Sequence, residues 1–274
     1  MPVTYRCTTW KEVQKAWRDT RRDLKMRPGE EAWYRGVSSP NFGLSPGLMW
    51  QFDKLSDDDL DRLEQNLFYE FQARARQLHE RGLSDWDYLF FMRHHGVPTR
   101  LLDWTDSFGM ALYFAHESTA SDGGTPCVWV LNPYALNRKT WDVRDLVQPK
   151  YLGYVEKDEE FWDYGELINS KEPWFHEGPV AIYPLQISER MRSQRGWFTM
   201  FGNVRDPLDV QYPEFVARIE VAAELHDNVR EFLAMAGIQP YAVYPDLDHL
   251  GVEVVANNAG WIEARASRKM RKKK

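Results

Sequence analysis

The sequence predicts an α+β fold, with mixed helices around a central, mostly antiparallel sheet. Three observations carry that expectation. Apolar residues recur at helical spacing in several segments of the first half of the chain, from Trp10 to Trp17, from Leu60 to Leu78 and from Phe108 to Ala115. Short β-rich runs bounded by Gly, Pro and Asn lie between and after them, and residues 215–221 alternate apolar and polar in the half-buried manner of a sheet strand. The chain has 274 residues, 14% of them aromatic, which is enough to bury a sizeable core and excludes a disordered polypeptide. No internal repeat stands out.

Taken in order, Thr8 or Thr9 is a candidate cap for a helix carrying Trp10, Val13, Ala16 and Trp17, which Arg27-Pro28-Gly29 ends. Residues Ala32–Arg35 read as a short strand running into a loop at Gly36-Val37-Ser38-Ser39-Pro40. Ser56 precedes three aspartates in the first turn of a long helix, where carboxylates suit the positive end of the helix dipole. Its expected apolar stripe is Leu60, Leu63, Leu67, Phe71, Ala75 and Leu78, with Gly82 as terminator and Arg74, Arg76 and Arg81 near its C-terminal end. Ser84 starts another helix, with Trp86, Leu89, Phe90 and Met92 leading to His94. Asp106 is a candidate cap for a helix from Ser107 to Glu117 that is apolar almost all round and is therefore expected at the centre of the core. A Gly123-Gly124 turn leads to a strand at Val128–Leu131. Residues 137–178 are charged and aromatic without steady periodicity and read as a surface excursion or insertion. Strands are expected at Val180–Leu185, Trp197–Phe201 and Phe215–Val221, a helix at Asp227–Ala236 closed by Gly237, and short strands at Ala242–Tyr244 and Val252–Val255. The whole reads as one domain over residues 1–264 with a basic tail, 265–274.

No apolar run approaches the roughly 18 residues of a membrane span. The start, Met-Pro-Val-Thr-Tyr-Arg-Cys, has no apolar stretch after a basic residue, so no signal peptide is expected and the location is read as cytoplasmic. Cys7 and Cys127 supply neither a disulfide framework nor a four-ligand zinc site, and read as reduced thiols. The net charge of −6 hides an asymmetry. The last ten residues hold Arg265, Arg268, Lys269, Arg271, Lys272, Lys273 and Lys274 and no acid, so the remainder is more acidic still. Such a tail is a candidate contact for nucleic acid; a solvated terminus is the plainer alternative.

The densest polar group is Arg93-His94-His95-Gly96-Val97-Pro98-Thr99-Arg100-Leu101-Leu102-Asp103-Trp104-Thr105-Asp106, read as a Gly- and Pro-shaped loop between two apolar helices. Imidazole titrates near neutrality, a guanidinium can fork onto a phosphate or carboxylate, Asp103 can orient either, and Trp104 offers a stacking face. An Arg100–Asp103 pair that merely pins the loop is the structural alternative. Adjacent histidines diverge on a helix and no metal-ligand spacing accompanies them, so no metal is expected. A P-loop, a dinucleotide glycine fingerprint and a Gly-x-Ser-x-Gly elbow are all missing from the sequence.

Trp33-Tyr34-Arg35-Gly36, then His94-His95-Gly96-Val97-Pro98-Thr99-Arg100-Leu101-Leu102-Asp103-Trp104-Thr105, then Ala111-Leu112-Tyr113-Phe114-Ala115, resemble the FRG-domain family. Arg192–Thr199, Gly237-Ile238 and Tyr244–Asp248 extend the resemblance to about residues 30–252, and residues 137–178 match none of it. The family is found in bacteria and phages, sometimes near mobile or defence genes, so the resemblance implies a role in such conflicts. Tyr34-Arg35-Gly36 with Ser38-Ser39, and the His-Gly and Tyr-Phe-Ala elements, are also similar to motifs of ADP-ribosyltransferases. That likeness implies an ADP-ribosyltransferase-like fold and an enzyme acting on NAD as ADP-ribosyltransferase or NAD glycohydrolase. Under it, His94, Asp103 and Gln194 are the candidate catalytic residues. Arg35, Ser38, His95, Thr99, Arg100, Trp104, Tyr113 and Thr199 are the candidate binding residues. Arg35 and Arg100 would hold the pyrophosphate and His94 a ribose hydroxyl, while a carboxylate or amide would face the developing positive charge. The late Glu-x-Glu or Gln-x-Glu of that class is missing, which leaves Gln194 or Glu220 to substitute. The alternative is a non-catalytic module for a nucleotide or protein, with the basic tail on nucleic acid. Arg35, His94, Arg100 and Asp103 are expected to meet over one cleft, with Gln194 and Thr199 on its far wall.

Overall fold

The structure is a computed structural model that describes residues 1–78, 82–122, 124–155, 159–170, 177–184 and 188–259. Arg81, Gly123, Leu185, parts of the 137–178 segment and the basic segment 265–274 lie outside the described residues. The strands are β1 (Val3–Cys7), β2 (Trp33–Val37), β3 (Leu101–Thr105), β4 (Cys127–Leu131), β5 (Tyr154–Val155), β6 (Glu160–Phe161), β7 (Val180–Ile182), β8 (Gly196–Met200) and β9 (Val216–Val221). The helices are α1 (Trp10–Asp23), α2 (Gly47–Gln51), α3 (Asp57–Ala75), α4 (Asp85–His94), α5 (Phe108–Asp122), α6 (Pro133–Thr140), α7 (Pro149–Leu152), α8 (Tyr164–Asn169), α9 (Glu189–Ser193), α10 (Leu208–Gln211), α11 (His226–Met235), α12 (Pro240–Val243) and α13 (Leu247–Asn257).

Among the described residues seven strands form one sheet in the order β1-β9-β4-β2-β3-β8-β7, in which β1 and β9 pair parallel and the other neighbouring strands antiparallel, and β5 and β6 form a separate small hairpin. This is the expected α+β class with a mostly antiparallel sheet. No described helix is long and apolar enough to cross a membrane.

Local chemistry starts the helices. Thr9 and Glu12 form a reciprocal capping box on α1, and Ser84 and Asp87 form one on α4. Ser56 Oγ accepts from the Asp59 amide at the head of α3. For α5 the cap is Ser107, whose Oγ accepts from the Met110 amide at 3.3 Å, and not Asp106. The Asp106 carboxylate instead accepts from Trp197 Nε1 and pairs with Arg195, so tertiary partners outcompete the cap. Gly237, at φ +69°, closes α11 in the left-handed conformation that glycine adopts freely.

Alternation along the strands divides the core. One sheet face buries Trp33, Leu102, Trp104, Trp129 and Leu131. The other carries two separate clusters. Val128, Val130, Ala217 and Ile219 pack there with α1, α5 and α11, while Leu101, Phe198, Met200 and Val180 pack with α3, α4 and α8. Between these clusters α5 lies directly on β2. A Cβ on Gly36 would stand 1.8 Å from the Ala111 carbonyl oxygen and 2.6 Å from the Ala115 amide nitrogen, so only glycine permits this approach.

Several sequence expectations are corrected. Leu101–Thr105 is a central strand, not part of a loop; its length and alternation were hidden by its two polar side chains. Ala242–Tyr244 and Val252–Val255 fall in or beside α12 and α13, where Pro240 at the first turn and the Asp246 cap outweigh β-branched content. β1 was not anticipated, and β2 extends through Gly36 and Val37, which were read as loop. The buried line of α3 is Leu60, Glu64, Phe68 and Ala75, so the stripe is rotated to include an acid. Residues 137–178 are not merely a surface excursion, because Val147, Leu152, Tyr164, Leu167 and Ile168 belong to the core.

Glu64 is buried for a reason. Arg100 Nε lies 2.8 and 2.6 Å from its two oxygens, Tyr164 donates to it at 2.7 Å, and Arg100 Nη1 donates to the Gly202 carbonyl at 2.8 Å. The side chains of Arg100 and Glu64 are 4% and 5% exposed. Removing one partner leaves the other charge uncompensated in the core, so Arg100→Ala or Glu64→Ala is expected to cost about 3–5 kcal/mol, measured by chemical denaturation. Gly36→Ala is expected to abolish the folded state or cost at least ~3 kcal/mol, whereas Gly251→Ala, which meets open space on α13, leaves the denaturation midpoint unchanged or raises it.

Candidate functional site

The seam between the two clusters on one sheet face is hollow. Its floor is the junction of β2 and β3, where among the described residues Tyr34↔Thr105 is the single registered pair. Beyond it the strands part, and Arg35 Nη1 reaches across to the Asp103 carbonyl oxygen at 3.0 Å, taking an acceptor that a neighbouring backbone amide would otherwise fill. The hollow has a volume of about 360 Å³. β2 and β3 supply Arg35 and Asp103, the end of α4 supplies Arg93 and His94, α5 supplies Phe114, and α9 with its cap supplies Arg190 and Gln194.

Asp103 is the electrostatic hub. Arg93 forks onto its carboxylate, with Nε 2.8 Å from each oxygen, and Arg35 Nη1 stands 3.5 Å from Oδ2. Burial works to raise the Asp103 pKa, but the two guanidiniums prevail and hold it below the usual carboxylate range. The carboxylate remains 38% exposed, so it faces the hollow rather than being sealed beneath it. Asp103 in turn raises the Arg93 pKa, while burial lowers that of Arg35.

His94 sits at the C-terminal end of α4 with its ring 4.9 Å from that of His95. Burial, the Arg190 charge and His95 together push its pKa down to about 4. It is therefore a neutral imidazole at pH 7. Opposite, the short helix α9 is tied to α12: Ser193 Oγ and Gln194 Nε2 both donate to the Val243 carbonyl at 3.2 Å. Arg190 lies over the Tyr244 ring, with Cζ 4.7 Å from the centroid.

The structure thus brings Arg35, His94, Asp103 and Gln194 to one hollow. It does not bring Arg100, which is locked inside the core on Glu64 and cannot hold a ligand's phosphate. Nor do Arg100 and Asp103 pair with each other, since each has other partners. Trp104 borders the hollow, but its indole is buried in the cluster of the opposite sheet face and donates to Thr199 Oγ1 at 3.1 Å; Thr199 is buried and does not line the hollow. Thr99 is buried and accepts from the Leu101 amide. Ser38, the residue after β2, is buried and does not line the hollow. His95 faces a different groove, beside Leu67, Phe71 and Val97. Tyr113 points away on α5 and donates to Glu117 at 3.3 Å. Glu220, the other candidate for the missing carboxylate, pairs with Arg6 and Arg218 on β9.

Two lining residues were missed. Arg93 precedes the His-His pair by one position and was passed over for Arg100, although the helix ending at His94 already aimed it at β3. Arg190 stands four residues before Gln194, the spacing that puts two side chains on one helical face. Among the described residues no group of three His, Cys, Asp or Glu side chains is placed to hold a metal ion.

The depressed His94 pKa carries a stability consequence. Between pH 6.5 and 4 the unfolded chain protonates this imidazole while the folded chain does not, so stability falls as pH drops through that window. His116 is shifted in the same direction and adds to the fall. His94→Gln is expected to flatten the stability–pH curve below pH 6.5 without altering its neutral plateau, and the His94 ring resonance in NMR is expected to titrate near pH 4.

A family-wide comparison matches the FRG domain to residues 30–123, a stretch that includes β2, α4, β3 and α5 and so contains Arg35, Arg93, His94 and Asp103. The match stops short of Arg190 and of Gln194, the second of which lies in the Arg192–Thr199 stretch of the sequence resemblance. Neither a curated protein nor a solved structure matches the chain. The strand, the two helices and the central strand that build most of the hollow therefore lie within the segment, residues 30–123, that matches the FRG domain.

Proposed function

We propose that the hollow binds a nucleotide-type anion, with NAD or ADP-ribose as the ligand class. The observation that carries this reading is the charge of its walls: Arg35, Arg93 and Arg190 stand against the single carboxylate of Asp103, beside an imidazole that is neutral at pH 7. A guanidinium matches phosphate oxygens in both geometry and charge. The volume of about 360 Å³ is in the range of small-molecule sites and holds part of a dinucleotide, the rest extending over the open side. Phe114 and Phe198 supply apolar wall for a base or nicotinamide ring.

A second reading makes the site an NAD glycohydrolase or ADP-ribosyltransferase. One observation favours it: the ionised, half-exposed Asp103 shares the hollow with neutral His94. In that reaction the bond from ribose C1′ to nicotinamide breaks, nicotinamide leaves with the electron pair, and an acceptor oxygen bonds to C1′ and releases its proton to solvent. Asp103 would face the positive charge developing on the ribose, and His94 would hold a ribose hydroxyl. Against this, Arg35 and Arg93 already counter the Asp103 charge, which suits anion binding better than cation stabilisation.

The experiment that tests both is thermal unfolding of the full chain with NAD, ADP-ribose, adenosine and nicotinamide, alongside an assay of nicotinamide release. NAD and ADP-ribose at about a hundredfold excess over Kd are expected to add about 2.7 kcal/mol and raise the Tm by several degrees, whereas adenosine and nicotinamide do not. Nicotinamide release that is lost in Asp103→Asn supports the enzyme; binding without release supports the module. No Tm shift with any ligand overturns the nucleotide reading.

A further inference from the structure

Three guanidiniums line the hollow, but they are not equivalent. Arg93 is forked onto Asp103, and Arg35 is held by both the backbone carbonyl and the carboxylate of the same residue. A ligand phosphate reaching either must compete with an ion pair already in place. Arg190 has no carboxylate partner among the described residues, and its Nε is buried without a hydrogen-bond acceptor. A desolvated cationic donor left unmatched is costly, and a hydrogen-bonded anion relieves that cost.

What holds Arg190 there is aromatic. Its guanidinium lies over the Tyr244 ring, which is stacked on its other neighbour, His249, at 4.4 Å and fixed by its hydroxyl, which donates to Glu117 at 3.1 Å. Burial and the Glu117 charge push the Tyr244 pKa up to about 12, so this ring keeps its hydroxyl proton at neutral pH. A cation over an aromatic face keeps its edge donors free, unlike one forked onto a carboxylate. Residues 240–249 therefore hold Arg190, at the wall of the hollow, by a ring face and not by a carboxylate.

The geometry points to Arg190 as the seat of the ligand's phosphate, positioned by Tyr244, with the Arg35–Asp103–Arg93 cluster left to face the ribose. This inference rests on the nucleotide reading above and deepens it. It commits the site to ligands carrying a phosphate or pyrophosphate, and it gives them a direction: phosphate towards α9 and α12, sugar towards β2 and β3. It also replaces the Arg35–Arg100 pair that the sequence suggested for the pyrophosphate.

The test is ADP-ribose and inorganic pyrophosphate binding by calorimetry to the wild-type chain and to Arg190→Ala, Arg190→Lys, Tyr244→Ala and Tyr244→Phe, each checked for unchanged circular dichroism. Arg190→Ala is expected to lose about a hundredfold in affinity for both ligands, Arg190→Lys to recover part of it, Tyr244→Ala to lose about tenfold, and Tyr244→Phe to stay within about threefold of wild type. His94 supplies a readout that a merely structural role for Arg190 would not move. Its titration midpoint is expected to rise when pyrophosphate binds the wild-type chain, because the anion offsets the Arg190 charge, and to be insensitive to pyrophosphate in Arg190→Ala. Wild-type binding that Arg190→Ala leaves intact overturns this inference while the nucleotide reading stands. An affinity loss in Arg190→Ala for ADP-ribose but not for pyrophosphate would also overturn it. A wild-type chain that binds none of these ligands overturns the reading itself.

Discussion

The contact on which the rest of the structure depends is the backbone-to-backbone approach of α5 and β2 at Gly36. A helix this close to a strand leaves no side-chain layer between them at Gly36, and the apolar cluster around Ala111, Leu112 and Ala115 holds α5 against the rest of that face. Because Gly36 directly follows Arg35, the close approach also fixes where that guanidinium leaves the strand. The same arrangement makes α5 a wall of the hollow through Phe114 while Ala111 and Ala115 face the sheet. Support and site are adjacent residues of one five-residue strand.

The sheet face beyond that contact is divided into two clusters, and the hollow is the unfilled seam between them. Asp103 links the two sides of the seam, because its carboxylate pairs with Arg93 at the end of α4 and with Arg35 on β2, the strand on which α5 lies. Arg100, only three residues from Asp103, serves a different purpose. It enters the interior and ties β3 to α3 and α8 through Glu64 and Tyr164. Two cations of one short segment, Arg93 and Arg100, thus divide between a wall of the hollow and an internal strut.

How much of this was legible in the sequence follows from what kind of signal each part leaves. Helices α1, α3, α4 and α11 were readable because caps and apolar spacing are local, and so was the gathering of Arg35, His94 and Asp103, because their side chains have little use in an apolar core. The roles of Arg100, Thr99 and Trp104 were not readable. Arg100 and Trp104 depend on distant partners, Glu64 and Thr199, and the burial of Thr99 depends, like theirs, on the course of β3, which is undefined until it is recognised as a strand. Asp106 illustrates the same limit, since Trp197 and Arg195 claim a carboxylate that local rules assign to a helix start. Arg190 escaped because a five-residue helix has too little periodicity to declare a face.

The parting of β2 and β3 has a further meaning for the molecule. Sheets ordinarily confine unpaired main-chain groups to their outermost strands, yet here two such margins lie in the middle, opposite one another, bridged by a side chain instead of a ladder. The joint between β2 and β3, at the centre of this sheet, therefore holds fewer registered pairs than its neighbours on either side. Amide protons there should exchange with solvent sooner than those of the flanking β4–β9 ladder, reversing the order found in a continuous sheet.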